Sequence, residues 1–176
     1  MDPSSYEVEE TTLTGESLFI RPIKPEDKCL FAEAFTHLSK RSIHLRFFGA
    51  KAELSTNELI YLSELDFVNH VGLLAGLDEQ GERHYVGVAR YVKLTGSNLP
   101  DAAEIALTVL DDYQGKGIGT CLLKHLIKIA RSQHIMSFHA EVLSENAPML
   151  ELLGETGLPM KRTISKGIAL VELQLS

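Results

Sequence analysis

The residues best arranged for chemistry lie in one run, Val109-Leu110-Asp111-Asp112-Tyr113-Gln114-Gly115-Lys116-Gly117-Ile118-Gly119-Thr120, where three glycines fall within five positions. Glycine lets backbone approach a ligand closely, and the free amides in a helix's first turn point outward with the positive end of its dipole. A pyrophosphate suits that arrangement, whereas a plain strand-to-helix turn needs one glycine at most. A Walker A loop requires GxxxxGK[ST], which is absent. A dinucleotide fingerprint requires GxGxxG early in a parallel βαβ unit, with an acidic residue ~20 positions on. Only Gly117-Ile118-Gly119 is present here, followed by Thr120 and Cys121. Ten positions before Gln114 stands Glu104, within Ala103-Glu104-Ile105-Ala106-Leu107-Thr108-Val109. A carboxylate among apolar neighbours is expected to have a raised pKa and to serve as a base, directly or through water. The competing reading has Glu104 facing solvent at a strand end. His139 and Glu141 share one face of a later strand-like run and form a second acid/base pair.

These groups need elements to position them. Ser17 to Ile23 reads as a first strand, with Leu18 and Ile20 on one face and Phe19 and Arg21 on the other. Pro25, Glu26 and Asp27 look like the first turn of a helix running to about Leu38, and a second helix covers Arg41 to Phe48. Ser55 with Glu58 forms a capping-box pattern opening a third. Strands follow at His70 to Leu77, His84 to Leu94 and Ala102 to Leu110, linked by a turn over Asp78 to Gly81 and a looser connection over Thr95 to Pro100. From Gly117 to about Arg131, apolar residues recur at helical spacing, with Lys124, Lys128 and Arg131 outside and His125 at the core edge. A strand over Ser137 to Leu143, a helix over Asn146 to Glu155 and a closing hairpin of Met160 to Ile164 with Ile168 to Leu173 complete the order βαααβββαβαββ. The fold class expected is α/β (α+β), a mixed and mostly antiparallel sheet of about seven strands flanked by helices. Residues 1–16 read as a flexible start, and residues 17–176 as one domain.

Gln114-Gly115-Lys116-Gly117-Ile118-Gly119 resembles the Q/R-x-x-G-x-G/A motif of GNAT acetyltransferases. The resemblance spans roughly Leu18 to Leu173 and implies a GNAT fold with acetyl-CoA as co-substrate. It places the coenzyme's pyrophosphate on the amides from Gly115 to Thr120, including those of Lys116 and Ile118, with the strand edge at Leu107 and Val109 beside the pantetheine. Asn146, Met149 and Leu152 resemble the family's N-x-x-M-x-x-L helix, making Asn146 a coenzyme contact. The same asparagine also reads as a helix N-cap with Pro148 just inside. Acyl transfer from a thioester to an amine needs a neutral amine and a stabilised leaving thiolate. The Ala-Glu-Ile-Ala pattern resembles bacterial protein-lysine acetyltransferases, in which a glutamate at this strand position is the general base, and that role carries over to Glu104. Ser42-Ile43-His44-Leu45-Arg46-Phe47-Phe48 resembles the subgroup's S-x-x-x-R-F-F segment, and Arg46 then helps shape the acceptor site or packs between its aromatic neighbours. Many small-molecule enzymes of the family carry a tyrosine acid seven residues after the asparagine. Here that residue is Leu153, which leaves thiolate protonation to water or to another, unidentified group, and Tyr113 reads as packing.

Composition narrows the partners. With 44% hydrophobic and 23% charged residues in 176, the chain is of ordinary globular type. A net charge of -7 argues against duplex nucleic acid and is compatible with a cationic amine. Cys29 and Cys121 form no CxxC pair and read as two buried thiols, and His70, His84, His134 and His139 have no metal-ligand spacing. No metal is expected. Met1 to Thr14 lacks the pattern of a signal peptide, and no apolar stretch reaches the ~20 residues of a membrane span, so a soluble cytoplasmic protein is expected. The leading expectation is an acetyltransferase acting on a primary amine, either a protein lysine or a small molecule, with a homodimer implied by GNAT relatives. A non-catalytic acyl-CoA-binding sensor is the reading from a different class.

Overall fold

The computed structural model describes every residue except Gln80, Ser97, Asn98 and Pro100. Parts of the two connections expected at Asp78 to Gly81 and Thr95 to Pro100 therefore lie outside the described residues. Strand residues that alternate between two faces build one eight-stranded sheet: β1 (Val8–Thr11), β2 (Ser17–Pro22), β3 (His70–Glu79), β4 (Glu82–Lys93), β5 (Ala102–Val109), β6 (Ser137–Leu143), β7 (Met160–Ser165) and β8 (Ile168–Gln174), in the order β1-β2-β3-β4-β5-β6-β8-β7. Every neighbouring pair is antiparallel except β5 with β6. The mixed, mostly antiparallel α/β sheet flanked by helices expected from the residues is the architecture observed. The strand count is eight rather than about seven, and the additional strand, β1, comes from the segment read as a flexible start, where Val8 to Thr11 pair with Ser17 to Ile20.

Among the described residues five α-helices flank the sheet: α1 (Lys28–Thr36), α2 (Lys40–Phe47), α3 (Thr56–Ser63), α4 (Ile118–Ser132) and α5 (Ala147–Gly154). Helix α4 buries Ile118, Leu122, Leu123, Leu126 and Ile129 against Val71, Leu73, Ala89, Tyr91, Ala103 and Ile105 of the central strands. Its other face, with Lys124, Lys128 and Arg131, stays at the surface as the spacing requires. Helix α5 adds Leu153 to the same core. On the opposite face of the sheet, α1 and α3 cover a smaller cluster of Ile23, Phe31 and Leu74. Strand β3 lies between both layers, which explains its run of eight buried residues without alternation.

Local chemistry sets the helix ends. Ser39 caps α2, Ser55 and Glu58 form a reciprocal capping box on α3, and Asn146 caps α5. Pro25 to Asp27 form a 3-10 turn rather than the first turn of α1. The carboxylate of Asp27 instead accepts from Lys24 N and pairs with the Arg21 guanidinium at 2.8 Å. His125 is buried, its Nδ1 2.5 Å from the Tyr6 hydroxyl and its Nε2 2.8 Å from Glu10, and this network fastens the chain start to α4. The two cysteines differ from the expected buried pair: Cys29 is exposed and Cys121 half-buried. No helix among the described residues is long and apolar enough to cross a membrane.

Candidate active site

The parallel contact between β5 and β6 is short. Ala102, Ala103 and Glu104 pair with Ser137, Phe138 and His139, and beyond Glu104 the strands part. From Ile105 to Val109, β5 remains hydrogen-bonded to β4 on one edge and has no strand on the other. A cleft of about 800 Å3 opens there, a volume within the range of small-molecule sites. Its walls bring together Glu104, Leu107, Val109, Gln114, Gly115, Gly117, Ile118, Gly119, Thr120 and Asn146. Of the residues singled out from the sequence, Lys116 is not in the wall: its ammonium turns away to Glu16 at 2.6 Å.

The glycine turn leaves backbone amides free at a helix start. Gly115 and Gly117 have φ of 76° and 81°, and the Gln114 side chain closes the turn by donating to Val109 O at 3.0 Å. Gly117 occupies the N-cap of α4 and offers no side chain, so the first-turn amides lack the capping that α2, α3 and α5 possess. The first hydrogen bond of α4 runs from Cys121 N to Gly117 O, leaving the amides of Ile118, Gly119 and Thr120 without intrahelical partners. A Cβ at Gly119 would lie 3.4 Å from Leu152 Cδ1 and 3.6 Å from Leu107 Cδ2, so the helix start sits close against both β5 and α5. A pyrophosphate on these amides with an extended thiol arm along the open β5 edge fits what the cleft presents. In coenzyme A those parts belong to one molecule, which supplies an activated thioester when acylated.

Residues 38–157 match the Acetyltransferase (GNAT) family. The chain belongs to that family. This GNAT chain is 30% identical to an acetyltransferase of Pseudomonas aeruginosa over 148 residues, which cover 84% of the chain and 78% of the relative. It is 31% identical to the acetyltransferase Pat of Mycolicibacterium smegmatis over 92% of its own length but only 47% of that protein. The crystal structure of the GNAT domain of S. lividans PAT superposes with a TM-score of 0.85 at 30% identity, covering 96% of both chains.

In this GNAT chain Glu104 is exposed, at the apex where β5 and β6 separate. Alternation places its neighbours Ala103 and Ile105 in the core on the α4 side, so the apolar run does not enclose the carboxylate. Glu141, Glu151 and Glu155 add acid to the cleft wall, and all are exposed. His139 stands opposite Glu104 in the register and shares a 3.1 Å hydrogen bond with the Ser137 hydroxyl, so it and Glu141 do not bond to each other. Asn146 does cap α5: its Oδ1 accepts from Met149 N at 3.3 Å while the residue lines the cleft. Leu153 is wholly buried and cannot meet a ligand. Tyr113 lines the cleft, its hydroxyl pushed up in pKa by burial and by Glu79.

Two contributors were not visible in the sequence. Asp111 accepts from Ser39 N, Ser39 Oγ and Ser42 Oγ at 3.1, 2.7 and 2.8 Å, tying the start of α2 to the glycine turn. Burial alone would raise its carboxyl, but these hydrogen bonds outweigh that and hold it below the ordinary value. Leu13, in the β1–β2 turn, lies over Gly117 and donates its N–H to Lys116 O at 3.0 Å. The acidic Asp111-Asp112 pair before Tyr113 is at least a local signal, whereas Leu13 sits in a polar stretch that announces nothing.

Proposed function

We propose that this protein transfers an acetyl group from acetyl-CoA to a primary amine, with Glu104 as general base and a protein lysine as the acceptor. The observation that carries the reading is the position of Glu104 at the point where β5 and β6 part, in the same cleft as the glycine turn. The amides of Ile118, Gly119 and Thr120 hold the pyrophosphate, and the open edge of β5 aligns the thiol arm. Acetyl-CoA supplies the activated acyl group. An amine arriving as an ammonium ion must lose a proton before it can attack, and Glu104 accepts that proton directly or through a cleft water. The acidic wall of Glu141, Glu151 and Glu155 draws a cation toward that carboxylate. Leu153 stands where many family members carry a tyrosine acid and has no proton to give, so the leaving thiolate takes its proton from solvent.

Family membership supports the transferase chemistry, and the resemblance of the Ala103-Glu104-Ile105-Ala106 run to bacterial protein-lysine acetyltransferases supports the choice of acceptor. The test is thiol release from acetyl-CoA with panels of lysine-bearing proteins, peptides and small amines. Glu104→Gln should lower kcat/KM by about 10²–10⁴-fold while leaving coenzyme binding intact. Unchanged turnover removes Glu104 from the mechanism, and coenzyme binding without turnover on every panel member supports the sensor reading instead.

A further inference from the structure

On the face of β5 away from α4, beneath α1, α2 and α3, lies a second pocket of about 80 Å3. It shares Arg46, Phe47, Ala106, Leu107 and Thr108 with the coenzyme cleft, so the two spaces meet at the middle of β5. The pocket is lined mainly by leucine, phenylalanine, valine and alanine, and among the described residues its charged lining is Arg46 and Arg90. Arg90 is 4% exposed and comes from β4, its Nη1 donating to Leu62 O at 3.2 Å and to His70 Nε2 at 3.3 Å. Arg46, near the end of α2, makes no hydrogen bond or ion pair among the described residues and lies 5.2 Å from the Phe47 ring.

Charge around this pair does not balance. Burial and the positive charge of Arg46 both depress the pKa of Arg90, and no carboxylate acts against them there. Burial depresses Arg46 as well, opposed by Glu104, whose negative charge reaches it without forming an ion pair. Two guanidinium groups thus face one carboxylate. A buried cation without a counter-ion is costly, and an arginine fork matches a carboxylate in two-point geometry.

We propose that Arg46 and Arg90 bind the carboxylate of a short-chain substrate, so that this transferase selects a donor or an acceptor bearing an acid close to its reacting end. Room for about three water-sized groups limits the chain to a few carbons. The carboxylate belongs either to a dicarboxylic acyl group on the coenzyme thioester or to an amino-acid acceptor. The inference rests on the coenzyme reading of the cleft and revises one partner of the proposed transfer, the acetyl group in the first case and the lysine acceptor in the second; both sources are tested by binding, which needs no turnover.

Calorimetry in the donor arm compares succinyl-CoA with butyryl-CoA, a matched chain without the acid. In the acceptor arm, coenzyme-loaded protein is titrated with short α-amino acids and with the amines left by their decarboxylation. One arm should favour its carboxylate member by about tenfold or more. That preference should collapse in Arg46→Gln and, independently, in Arg90→Gln, and Arg46→Lys should restore part of it. The donor arm responding assigns an acidic acyl group, and the acceptor arm an amino acid. Equal binding within both pairs overturns the proposal, as does a preference that survives both glutamine variants, with thermal melting confirming that each is folded. If acetyl transfer depends on Glu104 while neither arm discriminates, the arginine pair loses its role and the transferase reading stands. A discriminating arm without any turnover upholds the arginine pair and overturns the transferase reading.

Discussion

At Gly117 the backbone turns with φ of 81° on the residue that starts α4, and a Cβ there would fall 2.8 Å from Leu13 Cγ. Leu13 is 82% exposed and can swing aside, so the conformation rather than the collision sets the penalty. A left-handed backbone costs an L-residue about 1–2 kcal/mol. Gly117→Ala is therefore expected to lower coenzyme affinity by about tenfold or more, because relaxation of φ turns the first amides of α4 away from the cleft. Isothermal titration with coenzyme A checks this, and unaltered affinity would show that the turn does not hold the ligand. Gln114, Gly115 and Gly117 are readable in the sequence because turn chemistry is local. Arg90 is not, since its meaning depends on Leu62, His70 and Arg46, brought to it from three other elements. Glu104 is readable as chemistry but not in its surroundings. The apolar residues on either side of it point to the opposite face of the sheet.

Helices announce themselves through their caps, which is why α3 and α5 fall close to where Ser55 and Asn146 put them, while the Ser39 cap of α2 emerges only in the structure. The edge strand β1 carries no such signal. Its residues Val-Glu-Glu-Thr alternate between exposed and half-buried, so they have almost no apolar pattern, and only pairing with β2 defines them. The short β5–β6 pairing is equally hidden, because a strand's length says nothing about where its neighbour leaves it. Asn146 shows how an element and a site can compete for one side chain. Asn146→Ala should cost about 0.5–2 kcal/mol of stability through loss of the cap. Asn146→Ser keeps a capping oxygen and removes the amide. Chemical denaturation and coenzyme KM measured on both variants separate the roles: a serine protein of normal stability with a raised KM assigns a coenzyme contact, and normal values of both leave the cap alone.

Across the whole molecule, acid should weaken the fold in two stages. His70 is buried, and burial with the adjacent Arg90 lowers its pKa to about 4, below the value of 6.5 for an unperturbed histidine. The unfolded chain therefore binds a proton before the folded one does, and stability falls as pH drops from about 6.5 to 4, by on the order of 2 kcal/mol from this residue. Below that, Asp66, held at about 2 against burial by amides of His70, Val68 and Asn69, and Asp27, held low against burial by Arg21, withdraw their own contributions as they become protonated. Thermal midpoints from pH 7 to 4 should decline, and His70→Gln, which keeps an acceptor for Arg90, should flatten that decline. An identical slope in the variant would place the acid sensitivity elsewhere. The narrow junction of β5 with β6 has a mechanical consequence as well. Joined through three residue pairs at one end, the two strands part beyond it, and the gap they frame is held by one core cluster in which α4 and α5 pack with residues of both. The width of the gap at the Val109 end therefore depends on side-chain packing rather than on strand pairing, and the close approach of Gly119 to Leu107 and Leu152 is one place where that packing sets it.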